Sequence, residues 1–251
     1  MQRLGTFLFA WRNWLFTAGL LGLLVACPPV LFLGSHRADF WLDLLGMAAT
    51  LAGQGVRIAV IGQTRIASGG SRKRVDAERL ITSGLLAHVR NPLYIGNLLV
   101  VAGLVLIHNN PWLYVFLLPA AFLGYQAIVS SEEAFLAQRF GEEYRQYCGR
   151  VRRWLPNLRG LRESLRQRQI DWRRVMLQEY GSIYLAVALP LALLIYEQLL
   201  QAPSRERSVS LNILWVLLLA ATGSWVWFRR IKLAEVARRR GEPDQRAIAS
   251  S

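Results

Sequence analysis

One apolar hairpin limits what this chain can become. An apolar run opens at Pro92 and meets the turn signal His108-Asn109-Asn110-Pro111. A second run then carries the chain to Glu132 and Glu133. Eighteen positions separate Pro92 from Asn110, and 22 separate Asn110 from Glu132. At about 1.5 Å of rise per residue, two helical arms of this size are roughly 27–33 Å long. That is close to the thickness of a bilayer's hydrocarbon core. Folded at Asn109-Asn110, the arms return Glu132 and Glu133 to the level of Arg90 and Tyr94. A cationic, aromatic and acidic cluster is therefore expected at one membrane face.

The rest of the chain repeats the pattern of apolar blocks separated by basic stretches. Its 251 residues are 53% hydrophobic and 18% charged, with a mean hydropathy of +0.26. Long unbroken apolar runs, not alternation, are the membrane signature. Runs are found at Trp14–Leu33, Phe40–Ile61, 92–107, 112–130, 181–200 and 211–228. The first reads as a retained transmembrane helix and not a secretory signal, because it continues past Cys27. Pro28-Pro29 is expected to kink it. In the second run Gly46 and Gly53 suit close helix approach. Arg57 lies near the end of that run, either as a snorkelling anchor or as part of a site. The fold class expected is all-α: a polytopic integral membrane bundle of about six transmembrane helices.

Net charge is +14. Nucleic-acid binding is the first alternative for so basic a chain, but no DNA- or RNA-binding motif is present and the arginines flank apolar runs. Loops 62–91, 131–180 and 229–240 are Arg-rich and alternate with the short loops 35–39, 108–111 and 202–210. By the positive-inside rule the basic loops and both termini are cytoplasmic. A bacterial inner membrane is the expected location. Residues 150–174 hold nine arginines against Glu163 and Asp171. They read as a surface segment on anionic headgroups, with a solvated linker as the alternative. Cys27 and Cys148 are not expected to pair, and no metal-ligand spacing is apparent.

At the cytoplasmic hairpin mouth, Arg90-Asn91-Pro92-Leu93-Tyr94-Ile95-Gly96 resembles the Arg-His/Asn-Pro-x-Tyr-x-Gly signature of the isoprenylcysteine carboxyl methyltransferase and phospholipid methyltransferase superfamily. The flanks are similar as well: Thr82-Ser83-Gly84 before it, then Glu132-Glu133, Phe140-Gly141, Glu143-Tyr144, and Val151-Arg152-Arg153-Trp154-Leu155-Pro156. The resemblance covers residues 74–157 and makes 1–157 a membrane methyltransferase core of four spans. Residues 158–251 add a basic surface segment and two C-terminal helices that fall outside the matched pattern; they are expected to shape a lipophilic pocket or a homo-oligomer interface.

The resemblance implies S-adenosylmethionine as cofactor, held in a pocket at the cytoplasmic face. Its matching positions put Arg90, Asn91, Pro92, Tyr94, Gly96 and Glu132 or Glu133 around the cofactor, with Arg90 and Glu133 expected nearest the chemistry; His88, two residues before Arg90, is within reach of the same pocket. The residue types suit that task. Arg90 can clamp a carboxylate with its planar fork. The two acids can accept from amino and hydroxyl donors, and Tyr94 can face a cation or a ring. An anionic head on the acceptor is expected to pair with Arg57 or Arg153. The acceptor is expected to be a lipophilic small molecule or a lipid. Two departures stand out: Asn91 where many relatives carry His, and Arg152 where they carry Pro. Two other functions compete with methyl transfer. One is an NADPH-dependent sterol-type reductase, whose similar stretch usually has an acid where this chain has Asn97. The other is a non-catalytic membrane scaffold.

Overall fold

A computed structural model describes residues 22, 26–63, 80–166, 169–201 and 207–241. Most of the expected first span, the loop arginines from Arg65 to Arg79 and the tail after Gly241 lie outside the described residues. The described chain is helical throughout, with no strand. The elements are α1 (His36–Gln63), α2 (Pro92–His108), α3 (Leu118–Arg150), α4 (Leu161–Arg166), α5 (Trp172–Gln201) and α6 (Arg207–Gly241). Four helical stretches are long and apolar enough to cross a membrane: His36–Gln63, Leu113–Arg150, Trp172–Leu200 and Ser210–Ala234. The shorter Pro92–His108 is the fifth apolar helix. This is an integral membrane protein.

The hairpin forms as its spacing requires. Pro92 sits in the first turn of α2, where a missing amide proton costs nothing. Asn109 ends the helix in the left-handed conformation, at φ 46°, a role asparagine fills at low steric cost. The turn is pinned by side chains: Asn109 Nδ2 donates to Val30 O at 2.8 Å and Asn110 Nδ2 to Pro28 O at 2.7 Å. These contacts correct one expectation. The chain does not run as a kinked helix through Leu33; residues 28–31 have no regular structure. Two successive prolines supply no amide donors, and the carbonyls of Pro28 and Val30 go to the α2–α3 turn instead.

In lipid, apolar burial between helices gains little, so close backbone approach has to hold the bundle. Glycines supply it between the antiparallel α1 and α2. A Cβ on Gly46 would lie 2.6 Å from Gly103 O, and one on Gly53 would lie 2.5 Å from Gly96 O. Seven positions separate the members of each pair along both helices, so one seam is maintained over two turns. By contrast, α6 exposes Trp215, Val216, Leu219 and Trp227 along its length.

The faces alternate. Asp39 meets Asn109 at one end, where Ser210 Oγ also bonds Gln198. At the other end Gln63, Arg90, Arg152 and Asp171 gather, and Lys232 bonds Leu177 O. From Leu113 to Arg150 is 38 residues, roughly 57 Å of helix against a core of about 30 Å. The C-terminal half of α3 therefore projects beyond the membrane. It breaks at Gly141, whose φ of 50° and ψ of −116° are not helical and suit only glycine. Its last turns fold back toward the 80–91 segment. α5 begins at Trp172, well before the apolar run at 181, so part of the expected 150–174 surface segment is already helix.

Candidate active site

The site is assembled by the loop that follows α3. Arg90 N donates to Arg152 O and Asn157 N to His88 O, both at 2.9 Å. Tyr147 Oη adds a bond to Leu86 O at 2.7 Å. These three ties clip residues 86–90 against residues 147–157. They fix where Arg90 and Asn91 enter α2.

Glu133 is the hub. Its carboxylate accepts from Arg153 at 2.5 Å and from Asn91 Nδ2 at 3.2 Å, and lies 3.6 Å from Arg90. Glu133 is 8% exposed, so each partner offsets the cost of burying its charge. Arg90 also donates to Cys148 Sγ at 2.8 Å. Burial disfavours the Arg90 cation, but Glu133 and the Cys148 thiol more than compensate and hold its pKa above the ordinary value. Arg90 Nε is buried and has no partner among the described residues.

Glu132 points a different way, as adjacent helical positions must. It accepts from Tyr94 Oη at 2.6 Å. Tyr94 packs on Tyr125 with ring centroids 5.4 Å apart, in a cluster with Ile128, Val129 and Trp154. Trp154 Nε1 in turn donates to Gln126 at 2.8 Å and its ring meets Phe122. One wall of the site is thus aromatic, and the other is ionic.

The structure therefore brings together Arg90, Asn91, Tyr94, Glu132, Glu133 and Arg153 from the residues expected to form a site. Pro92 is buried beneath them as the helix start. Three others lie apart. Gly96 faces α1, where a Cβ would meet Gly53 O at 2.8 Å. Arg57 makes a two-toothed contact with Glu179, at 2.7–3.0 Å, and also bonds Asn97 and Ser182. His88 Nδ1 meets Asn157 O at 2.7 Å and Nε2 meets Ser164 Oγ at 2.8 Å, so its ring is fixed beside the cluster.

Reading the sequence alone missed Cys148, Gln126 and Glu179. It also missed an acidic group at the far membrane face. There Asp39, Asp43 and Glu197 each place a carboxylate oxygen within 4.8 Å of the others. The signal was present as acids inside apolar runs, which are costly and seldom isolated, but their pairing spans more than 150 positions.

Comparison with known proteins places this geometry. A family model described as Phospholipid methyltransferase matches residues 42–143, from α1 to just past the Gly141 break. These matches, together with the motif residues at the hairpin mouth, support the isoprenylcysteine carboxyl methyltransferase and phospholipid methyltransferase superfamily for residues 42–143. It is 33% identical over 129 residues to the cobalt-zinc-cadmium resistance protein CzcN of Cupriavidus metallidurans, covering 51% of this chain and 57% of that one. It is 28% identical over 127 residues to the human protein-S-isoprenylcysteine O-methyltransferase, covering 50% and 45%. The Xenopus laevis protein of the same name is 26% identical over 129 residues, covering 49% and 43%. The chain thus spans about half the length of the curated relatives it matches. No solved structure matches it. Within the matched residues, the Arg90–Glu133 and Tyr94–Glu132 pairs occupy the hairpin mouth, and α5 and α6 lie outside them.

Proposed function

We propose that this chain is a membrane methyltransferase that uses S-adenosylmethionine and acts on a lipophilic or lipid-linked acceptor. The observation that carries the reading is the Glu133 hub: two guanidiniums and an amide converge on one buried carboxylate, one helical step from the Tyr94–Glu132 pair. The donor set fits the cofactor. The orphaned Arg90 Nε offers a buried donor to a carboxylate. Glu132 and Glu133 offer acceptors for amino and hydroxyl groups, and the Tyr94–Tyr125 pair offers an aromatic face to a cation. Arg90, Asn91, Tyr94, Glu132 and Glu133 are the residues that would hold it.

S-adenosylmethionine supplies, when bound, a methyl group already activated by a sulfonium. The chain then has to align groups and exclude water, and no side-chain nucleophile is called for. Arg90 and Glu133 hold the polar end in place. Tyr94, Tyr125 and Trp154 keep the lipid side dry. Arg153 is the cation placed to receive an anionic head on the acceptor, a carboxylate being one candidate. Arg57 is committed to Glu179 and is assigned no substrate contact. In this reading the hairpin mouth, both termini and residues 150–174 are cytoplasmic, and the basic stretch contacts anionic headgroups of a bacterial inner membrane.

The test is direct. The purified chain in lipid nanodiscs is given adenosylmethionine carrying a labelled methyl group, adenosylhomocysteine or NADPH. Saturable binding of the first two, and label appearing in extracted lipid, are expected. Binding of NADPH alone would replace this reading with a reductase; binding of none would leave a scaffold.

A further inference from the structure

We propose that the cavity between the 84–90 segment and the 150–159 loop is a binding site for the headgroup phosphate of an anionic phospholipid. The cavity has a volume of about 340 Å³ and is lined by His88, Arg150, Arg152, Asn157, Leu158 and Arg159, with Pro156. Three arginines therefore line one concave space that no acidic residue lines. None of the three has a carboxylate partner among the described residues. Arg150 uses only its Nε, on Gln146 O at 3.3 Å. Like charges gathered without a counter-ion repel one another, and a phosphate is the group whose geometry matches several guanidinium forks at once.

The cavity is a formed cradle and not a flexible tail. Its two sides are tied by the Asn157 N to His88 O and Arg90 N to Arg152 O bonds. His88 has both ring nitrogens on neutral partners and acts as a wall. The source of the phosphate follows from the flanks. Leu155 and Leu158 are 65% and 69% exposed, in the same loop as the arginines and beside the membrane-crossing helices. Arginine next to exposed leucine suits the bilayer interface, where charge meets the headgroup and apolar side chains meet the upper acyl region. A free phosphate would leave both leucines in water. Because Arg152 is bonded to Arg90 through the backbone, a bound headgroup would also brace the segment that carries Arg90.

The inference rests on the reading of residues 150–174 as a headgroup-facing stretch, and not on methyl transfer. The full chain is placed in phosphatidylcholine nanodiscs containing spin-labelled phosphatidylglycerol, and the motionally restricted fraction is measured. The preference for phosphatidylglycerol over phosphatidylcholine should fall about tenfold in R152Q/R159Q. It should be largely kept in R152K/R159K, which retains the charge, and in R229Q/R230Q, which removes two arginines elsewhere at the same face. Labelled adenosylmethionine binding, measured in the same samples, should be unchanged in all of them. If R152Q/R159Q keeps the preference while added salt still weakens it, headgroup contact is diffuse and the cavity is not the site. Displacement of the lipid by millimolar inorganic phosphate would make it a free-anion site. Loss of adenosylmethionine binding with R152K/R159K intact would make the cavity part of the cofactor site, and either result would overturn the proposal.

Discussion

Arg153 and Glu133 lie 20 positions apart and meet at 2.5 Å, across the Gly141 break in α3. The contact closes the loop after α3 onto the helix that precedes it, with Asn91 between them bonding both Glu133 and the Arg153 carbonyl. Asn91 serves as a neutral bridge that donates to Glu133. Glu133 is consequently a structural acid as well as a candidate ligand. Glu132, on the neighbouring face, accepts from Tyr94 Oη.

The two acids should therefore fail differently. Glu133→Gln should lower the stability of the purified chain and weaken adenosylmethionine binding together, since Arg90 and Arg153 lose a shared buried counter-charge; a loss on the order of 3–5 kcal/mol is expected when one partner of a buried pair goes. Glu132→Gln should leave stability nearly unchanged and weaken binding only. Thermal unfolding and labelled-cofactor titration on both variants decide it. Equal effects on both readouts would remove the distinction.

Arg90→Ala should cost more cofactor affinity than Arg145→Ala. Arg145 is 74% exposed at its side chain and its nearest acid, Glu142, is equally exposed, so its removal should cost about 0–1 kcal/mol. Arg90 is partly buried with Nε unsatisfied, and losing a buried charge contact there should cost roughly 2–5 kcal/mol. Titration of labelled adenosylmethionine into both purified variants checks it, and equal affinities would take Arg90 out of the site.

The hairpin and its mouth were legible in the sequence because their determinants are local. Pro92, Asn109 and two arm lengths matched to a bilayer place Glu132 and Glu133 near Tyr94 without any long-range information. The glycine seam was half legible: Gly46 and Gly53 announced close packing, but only the antiparallel register with Gly96 and Gly103 shows that Gly96 is committed to α1. Contacts formed by folding at a distance were not legible. Nothing near Arg57 points to Glu179, 122 positions on, and nothing near Asp39 points to Glu197. The non-helical stretch after Cys27 was misread for a related reason. Pro28-Pro29 reads as a kink in an isolated helix, while the carbonyls of Pro28 and Val30 are held by Asn110 and Asn109 some 80 positions away.

The glycine seam predicts a steric failure independent of charge. Gly53→Leu should separate α1 from α2, because even a Cβ would lie 2.5 Å from Gly96 O and 2.9 Å from Leu99 Cβ and Val100 N, and backbone cannot yield as a side-chain tip can. Gly55→Leu, two positions on with open space around it, should be tolerated. The comparison is made by thermal unfolding in detergent. Similar melting temperatures for the two would contradict the seam.

The last prediction concerns how the C-terminal helices are joined to the family core. Glu179 on α5 is 1% exposed and its carboxylate accepts Arg57 Nε at 2.9 Å and NH2 at 2.7 Å. Arg57 spends its remaining donors on Asn97 and Ser182, so one guanidinium links α1, α2 and α5. A carboxylate and a guanidinium at that depth tolerate each other only as a pair. Glu179→Leu should therefore destabilise the chain by about 3–5 kcal/mol, by leaving Arg57 buried and uncompensated. Arg57→Met combined with Glu179→Leu removes both charges, and should recover most of that loss while keeping the helices packed. The double-mutant cycle should show a coupling of at least about 1 kcal/mol. Unfolding of the four proteins in one detergent, followed with and without adenosylmethionine, reads both the coupling and its reach. Because Asn97 lies three positions beyond Tyr94 on α2, the single variant should also weaken cofactor binding and the double variant should restore it. Additive effects would mean that Arg57 and Glu179 are two independent anchors, and α5 would then be attached by its apolar contacts alone.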